Sequence, residues 1–456
     1  VIRIILLVIA GGMCILPAAG AVTMDLDQAV AHALESDPRI QESRRLVDVA
    51  RAMLQEATGS DDLFFDVNSF VGLHRGVDGG IYKNGEKTCG VTTECKLRDD
   101  NYNFDDGLSL WTALQFKIIK PLYTFGKIEN YAAAAQGNVD VKRGDVRLQR
   151  IKTRMDVTRA YYGYLAARDT RYLLTDAKSR VEKAIAQVKT WLDEGAGRVK
   201  QTDLYTLETG LAILNKSLAQ AQAVEEIALD GLKVLTGVGI DGELEVADTS
   251  LEMVALPEDP LKDLQDQALS QRPEIAQLEA GLRARRSLVA AKKAEQKPNI
   301  YTGVIGSLSW APNRDTLDNP YILDLYNHAG ATPVIGLQWN WETGAQPARV
   351  ARAQAEWDAL IDKAAFAHIG IPFEVAEQYH QVHAYHEAAL DLAQGSRSGR
   401  RWMIASFADF QAGQEKAKDV MEAFRGYVLV HSDYLSTVND YNMHVARLKE
   451  VIGGYQ

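Results

Sequence analysis

Two periods of apolar residues alternate along this chain. Between positions 63 and 74, Leu63, Phe65, Val67, Val71 and Leu73 share one parity, while Asp66, Asn68 and His74 fall on the other. Positions 108–119 repeat the alternation, with Leu108, Leu110, Leu114, Phe116 and Ile118 set against Ser109, Gln115 and Lys117. A second pair of such segments occupies 300–310 and 333–341. In the latter, Ile335, Leu337, Trp339 and Trp341 alternate with Gly336, Gln338 and Asn340. Period two predicts half-buried strands. A length of ~9–11 residues suits a membrane-spanning strand, and terminal tryptophans suit an interfacial girdle.

A helical period follows each strand pair. Stretches 127–192 and 346–412 are long enough, at 1.5 Å per residue, to span ~100 Å each. A shorter helix then returns. Leu204, Leu207, Leu211, Leu214, Leu218 and Ala221 step by three and four, a coiled-coil seam continued by Ala228, Leu232 and Leu235. Val420, Ala423, Tyr427, Val430, Tyr434, Thr437, Tyr441, His444, Leu448 and Val451 copy that spacing, and Glu225 and Tyr441 interrupt the two seams at one place. Helices this long must pack lengthwise as a bundle. Pro372 lies inside the second long helix and is expected to kink it or open a bulge.

The copying extends to the whole chain. Ser36-Asp37-Pro38-Arg39-Ile40 recurs as Gln271-Arg272-Pro273-Glu274-Ile275, and Phe125-Gly126 as Thr343-Gly344. Positions 151–161 recur at 369–379, and Gly197, Asp203 and Gly210 recur as Gly413, Asp419 and Gly426. These matches predict a tandem duplication. The expected plan is a first repeat at 22–239, a linker at 240–258 and a second repeat at 259–456. Within the first repeat the strand pair falls at about 63–120, the long helix at 127–193 and the return helix at 201–236. The second has its strand pair at about 299–342 and its helices at 346–412 and 416–452. Each repeat opens with a short helix and a longer one.

Composition changes the picture in three ways. Fifty basic against 61 acidic residues in 456 give a net charge of −11, which argues against a nucleic-acid partner. Arg3, an apolar run and the Ala19–Ala21 site read as a secretory signal over 1–21. Met13 before Cys14 is the wrong residue for a lipoprotein cleavage box. Cys89 and Cys95 remain, and outside the cytosol a pair this close is expected to form a loop disulfide.

Four amphipathic strands cannot close a barrel alone, and bacterial barrels need about eight or more. Cyclic symmetry solves this: three chains supply twelve strands. The expected fold is therefore mainly α, a bundle of long coiled-coil helices joined to a membrane β-barrel that several chains close together. At this point the chain resembles the TolC-type outer-membrane efflux channels. The resemblance rests on Pro121-Leu122-Tyr123-Thr124-Phe125-Gly126, Trp339-Asn340-Trp341-Glu342-Thr343-Gly344, Arg272-Pro273-Glu274-Ile275, the span 413–423, Val438-Asn439-Asp440-Tyr441-Asn442 and Leu448 with Gly453. It implies a homotrimer in which a long coiled-coil tunnel joins a twelve-stranded membrane barrel: a passive exit duct in the Gram-negative outer membrane, its tunnel in the periplasm, with an equatorial belt. It also implies partners: outer-membrane lipid, a periplasmic adaptor, and an inner-membrane RND, MFS or ABC transporter, as in a tripartite pump or type I secretion system.

The resemblance places a periplasmic gate at the turn after the second long helix. Asp419 and Glu422 stand three apart on one helix face, and in a trimer each becomes a ring of like charges that selects cations. The competing reading is a solvated helix start, where acids favour the dipole. Phe410 matches an aromatic position that helps close the entrance. Gly197 and Gly413 mark the tip turns, and Asp203 is the first-repeat counterpart of Asp419. Glu415 departs from the family pattern, which has a basic residue there that locks onto a first-repeat carboxylate; Glu415 against Asp203 would repel. His380, His383 and His386 recur every three residues, but no cysteine, methionine or acid cluster accompanies them, so no metal or cofactor is expected. No nucleophile–base set or phosphate loop supports an enzyme. The rival reading, a trimeric coiled-coil surface protein without a pore, explains the heptads but neither the strand pairs nor the tip glycines.

Overall fold

The computed structural model describes residues 22–77, 80, 82, 96–97, 107–195, 199–317 and 321–455. The signal segment, Cys89, Cys95 and Gly197 lie outside the described residues. The chain is mostly helical. It opens with strand β1 (Val22–Met24), helix α1 (Leu26–Ser36) and helix α2 (Pro38–Gly59). Strands β2 (Phe64–Arg75) and β3 (Leu108–Tyr123) follow, then helices α3 (Lys127–Asp193) and α4 (Gln201–Leu235). After β4 (Leu244–Val246) come α5 (Leu261–Gln271), α6 (Pro273–Ala294), β5 (Asn299–Trp310), β6 (His328–Gln338), α7 (Ala345–Gln411) and α8 (Ala417–Val451). The helix lengths recur in order: 11, 22, 67 and 35 residues in each half.

Two compact units divide these elements. One holds the chain up to Leu46, Lys142–Gln277 and the chain from Ala364; the other holds Val47–Val141 and Leu278–Lys363. The second unit contains a four-stranded sheet in the order β2-β3-β5-β6, all neighbours antiparallel. β2 and β6 are its edges. Pro333 sits on edge strand β6, a place in a sheet where proline is tolerated. Pro121 sits where the β3–β5 register shifts, between Pro121 and Tyr123. β6 ends at Gln338, paired with Asn299, so the expectation that Trp339 and Trp341 belong to the strand is corrected. They follow it, with rings stacked 5.3 Å apart, and the Trp339 indole donates to the Gln296 carbonyl at 3.1 Å.

The first unit packs helices around three apolar clusters. In one, Leu173, Val181, Ile185 and Val188 of α3 meet Leu204, Leu207 and Leu214 of α4, with Met403 and Phe407 of α7 and Val420 and Phe424 of α8. The heptad seams supply these positions, as a packed helix bundle requires. The two interruptions in the seams take polar partners. Glu225 accepts from Arg171 of α3, and the Tyr441 hydroxyl donates to the Val254 carbonyl at 3.0 Å. That carbonyl lies in the segment after β4, which β1 and β4 start by pairing in parallel. Asn442 fastens the same segment, accepting from Val254 N at 3.0 Å and donating to the Glu252 carbonyl at 2.8 Å.

Both helix pairs that open the halves turn at an X-Pro step, Asp37-Pro38 and Arg272-Pro273. The residue before each proline is extended, at ψ 116° and 128°, as proline demands. Burial alone would raise the Asp37 carboxyl, but hydrogen bonds from Arg39 and Thr153 outweigh it and hold the pKa below the usual carboxylate range. Helix α7 runs unbroken through Pro372, which corrects the expected bulge. The missing N–H would have served His368, which is exposed to solvent, and Gln265 donates to the Pro372 carbonyl at 3.0 Å.

Candidate functional site

Two places carry the chemistry, the four-stranded sheet and the tip of the long helices. In an antiparallel sheet, residues directly opposite share a face. One face is therefore built from rows such as Phe65–Ile118–Val304–Pro333, Val67–Phe116–Gly306–Ala331 and Ser69–Leu114–Leu308–Ala329. The other contains Asp66–Lys117 and Asn68–Gln115–Ser307. The apolar face is open: Val71 is 66% exposed and Ile335 80%. Each large apolar side chain left in water forgoes roughly 1.5–3 kcal/mol. Both outer edges also leave main-chain groups unpaired within the chain.

Farther along the polar face, Trp111 packs edge-on to Phe70 at 5.0 Å and against Tyr326 at 5.3 Å. Its indole donates to Ser309 Oγ at 2.8 Å. His74, only 5% exposed, lies 5.8 Å from the Tyr326 ring. Sequence reasoning placed His74 on the polar parity and missed Trp111 and Tyr326. A tryptophan on the polar parity of β3 was the available signal.

At the tip, α7 closes with a Schellman turn. Gly413 is left-handed at φ 74°, its N–H donates to the Phe410 carbonyl and the Gln414 N–H to the Asp409 carbonyl, each at 2.8 Å. Gly195 stands at the same place after α3, two residues past the helix end, with φ 65° and its N–H donating to Leu192 O at 3.2 Å. The expected partner of Gly413 was Gly197. The long helices are 218 residues out of phase (127 and 345) and the return helices 216 (201 and 417), so the first turn is two residues longer. Counting back from the return helix reaches Gly197, which lies outside the described residues.

Asp419 is half-buried and Glu422 exposed, both in the first turns of α8. Neither carboxylate makes a hydrogen bond or ion pair among the described residues. Asp203 differs, since its Oδ2 accepts from the Lys200 N–H at 2.8 Å and caps α4. Glu415 accepts from Ser406 Oγ, so each carboxylate is engaged within its own helix pair. Phe410 is fully buried against Trp191, with ring centroids 5.4 Å apart. Apolar burial draws the ring into the tip core. Among the described residues no three metal-ligating side chains come together. His383 rests on Tyr379 at 4.4 Å and His386 on Tyr441 at 5.5 Å, while His380 lies edge-on to Tyr379. No described helix is long and apolar enough to cross a membrane.

No protein-family model and no curated protein matches the sequence. Solved structures do match. The chain aligns with the outer-membrane channel OprN at TM-score 0.70 and 16% identity, over 94% of this chain and 90% of that one. With CusC, described for its folding and transmembrane channel formation, the values are 0.73 and 16%, over 95% and 93%. With the open state of the Neisseria gonorrhoeae MtrE channel they are 0.72 and 15%, over 94% and 88%. The chain has the outer-membrane channel fold.

Proposed function

We propose that the protein is a passive outer-membrane channel, the exit duct of a tripartite efflux pump or type I secretion system. The observation that carries the reading is the four-stranded sheet, apolar on one face, polar on the other and unpaired at both edges. Three copies would pair β6 of one with β2 of the next and close twelve strands, putting the apolar face in lipid and the polar face around water. The long helices then form a periplasmic tunnel that meets an adaptor and an inner-membrane RND, MFS or ABC transporter. The equal helix lengths of the halves support an internal duplication, with repeats at 22–239 and 259–456 and a linker at 240–258.

Asp419 and Glu422 are the gate carboxylates in this reading. Their lack of partners leaves them free to act on passing ions, and Asp203 serves as a cap instead. Planar-bilayer recording tests both levels. Mature protein should extract as a trimer and conduct. Asp419→Asn with Glu422→Gln should weaken cation selectivity and block by trivalent cations. A monodisperse monomer retaining its β-signature overturns the channel. Conduction with unchanged reversal potential and block overturns the gate alone.

A further inference from the structure

The segments flanking the β5–β6 connection do not extend away from the sheet but cross it. β3 lies between β2 and β5 in the sheet. Even so, Val77, two residues past β2, donates to the Asn313 carbonyl at 3.0 Å and accepts from Asp315 N at 2.8 Å. The chain after β5 therefore passes over the end of β3 to reach the continuation of β2. Asn313 makes the turn in the left-handed region, at φ 62°. On the return, Asp324 accepts from the N–H groups of Leu317, Tyr326 and Asn327, at 2.9 to 3.0 Å. Asn327 accepts from Ala311 N at 2.8 Å and donates to the Arg314 carbonyl at 3.1 Å. This crossing is tied at both ends.

Its side chains land on the polar face. Tyr326 covers Trp111 and His74 there, Ser309 Oγ donates to the Tyr326 carbonyl at 2.9 Å, and the Arg314 guanidinium lies 3.8 Å over the Tyr326 ring. The Nε2 of His74 is buried without a partner among the described residues, so the cluster holds an open hydrogen-bonding position that a finished apolar core would not keep. Elsewhere this face carries Asn68, Gln115, Lys117 and Ser307, fit to line water, beside the apolar Phe64, Ile119 and Ile305.

We infer that residues 311–317 and 324–327 form a strap narrowing the distal mouth of the duct into a size-selecting constriction, with Trp111 and Tyr326 its bulk. The inference rests on the channel reading, in which the polar face lines the lumen. Three copies bring three such rings inward. The strap carries Arg314 together with Asp315 and Asp324, so its selection is by size and not by the sign of a charge.

Thiol labelling from outside intact cells tests this. Gln115 is exposed on the polar face, four positions along β3 from Trp111, and Gln115→Cys reports access past the strap. Cys89→Ser and Cys95→Ser are carried in every variant, and heat-resistant trimer on gels confirms assembly. A small charged maleimide should label Cys at this position with the strap intact, whereas maleimide on a polyethylene glycol of a few kilodaltons should react slowly. Tyr326→Ala, or Trp111→Ala with Tyr326→Ala, should speed the large reagent on the order of tenfold and leave the small one unchanged. Equal rates of the large reagent with and without Tyr326 overturn the constriction. Labelling only by a lipid-soluble maleimide overturns the channel reading itself, and the constriction with it.

Discussion

At the junction of α1 and α2, Arg39 holds Asp37 at 2.8 Å and Asp156 of α3 at 2.9 Å. At the junction of α5 and α6, Arg272 holds Glu274 at 3.0 Å and Glu374 of α7 at 2.6 Å. The positions correspond, but the arginine takes the second place in one half and the first in the other. Thr153 donates to Asp37 at 2.6 Å; its counterpart Ile371 is a buried aliphatic, since an arginine offers it no acceptor. The geometry thus constrains two acids around one guanidinium, not their order. The halves differ also in titration. His431 is sandwiched between Tyr427 and Tyr434 and hydrogen-bonded to Ser396, and His444 meets Gln378. The corresponding first-half residues are Asn215 and Ala228. Equal helices therefore carry unequal chemistry, and equivalent substitutions should not have equivalent effects.

The largest asymmetry is expected at the triads. Arg39→Ala leaves Asp37, 5% exposed, without its cation and should cost about 2–3 kcal/mol in denaturant titration, less than a fully buried pair would. Arg272→Ala strands two more exposed acids and should cost about 1 kcal/mol. The combination Asp37→Arg, Arg39→Glu and Thr153→Ile writes the second-half arrangement into the first. It should recover most of the loss, and no recovery would break the equivalence. The acid limb adds a check. The depressed Asp37 pKa gives stability that is present above the unfolded value near 4 and lost as pH falls through the folded value. Arg39→Ala should flatten that limb.

Near neutral pH the second half should be the sensitive one. Burial lowers the pKa of both His431 and His444, against weaker opposing pulls from Asp169 and from Asp440 and Glu377. The unfolded chain then binds more protons below about pH 6.5, so stability falls as pH drops through that window, by at most ~1.4 kcal/mol per pH unit for each histidine. Hydrogen exchange should show α7–α8 loosening toward pH 5 before α3–α4. His431→Asn with His444→Ala, the first-half residues, should abolish the difference.

Smaller effects separate the glycines and the caps. A Cβ at Gly426 would stand 2.8 Å from the rigid Trp402 ring, whereas at Gly210 it meets the flexible end of Met421. Gly426→Ala should therefore destabilise by about 1 kcal/mol, and Gly210→Ala should be near neutral once helix propensity offsets the repacking. Asp203→Ala removes a cap and should cost about 0.5–1 kcal/mol. Asp419→Ala, which loses no such bond, should stay within about 0.5 kcal/mol. A larger cost at Asp419 in thermal unfolding would favour the helix-start reading over a gate.

The alternation of Phe65, Val67, Val71 and Leu73 and the seam from Leu204 to Leu235 are legible because their periods are set by neighbours within a turn or two. Those periods suffice to read a mostly helical chain with a few strands and to point at the two-faced sheet. The same local logic misleads where partners lie far away. Trp339 and Trp341 continue the alternation of β6, yet the strand stops at Gln338 because its partner β5 begins at Asn299. Phe410 stands out in sequence as an aromatic near the turn, and only the fold shows that Trp191, on another helix, packs against it.

What the sequence by itself determined is therefore periodic: which stretches are strands or helices, which faces are apolar, and that the order repeats. What only the tertiary structure decided is pairing. It set Gly195 and Gly413 alike in left-handed turns, gave Asp203 a backbone donor, turned Glu415 to Ser406, and laid Tyr326 across Trp111. Period is a property of neighbours along the chain, so it is written locally. A hydrogen bond or ring contact between distant positions depends on where folding brings them, and no local pattern encodes it.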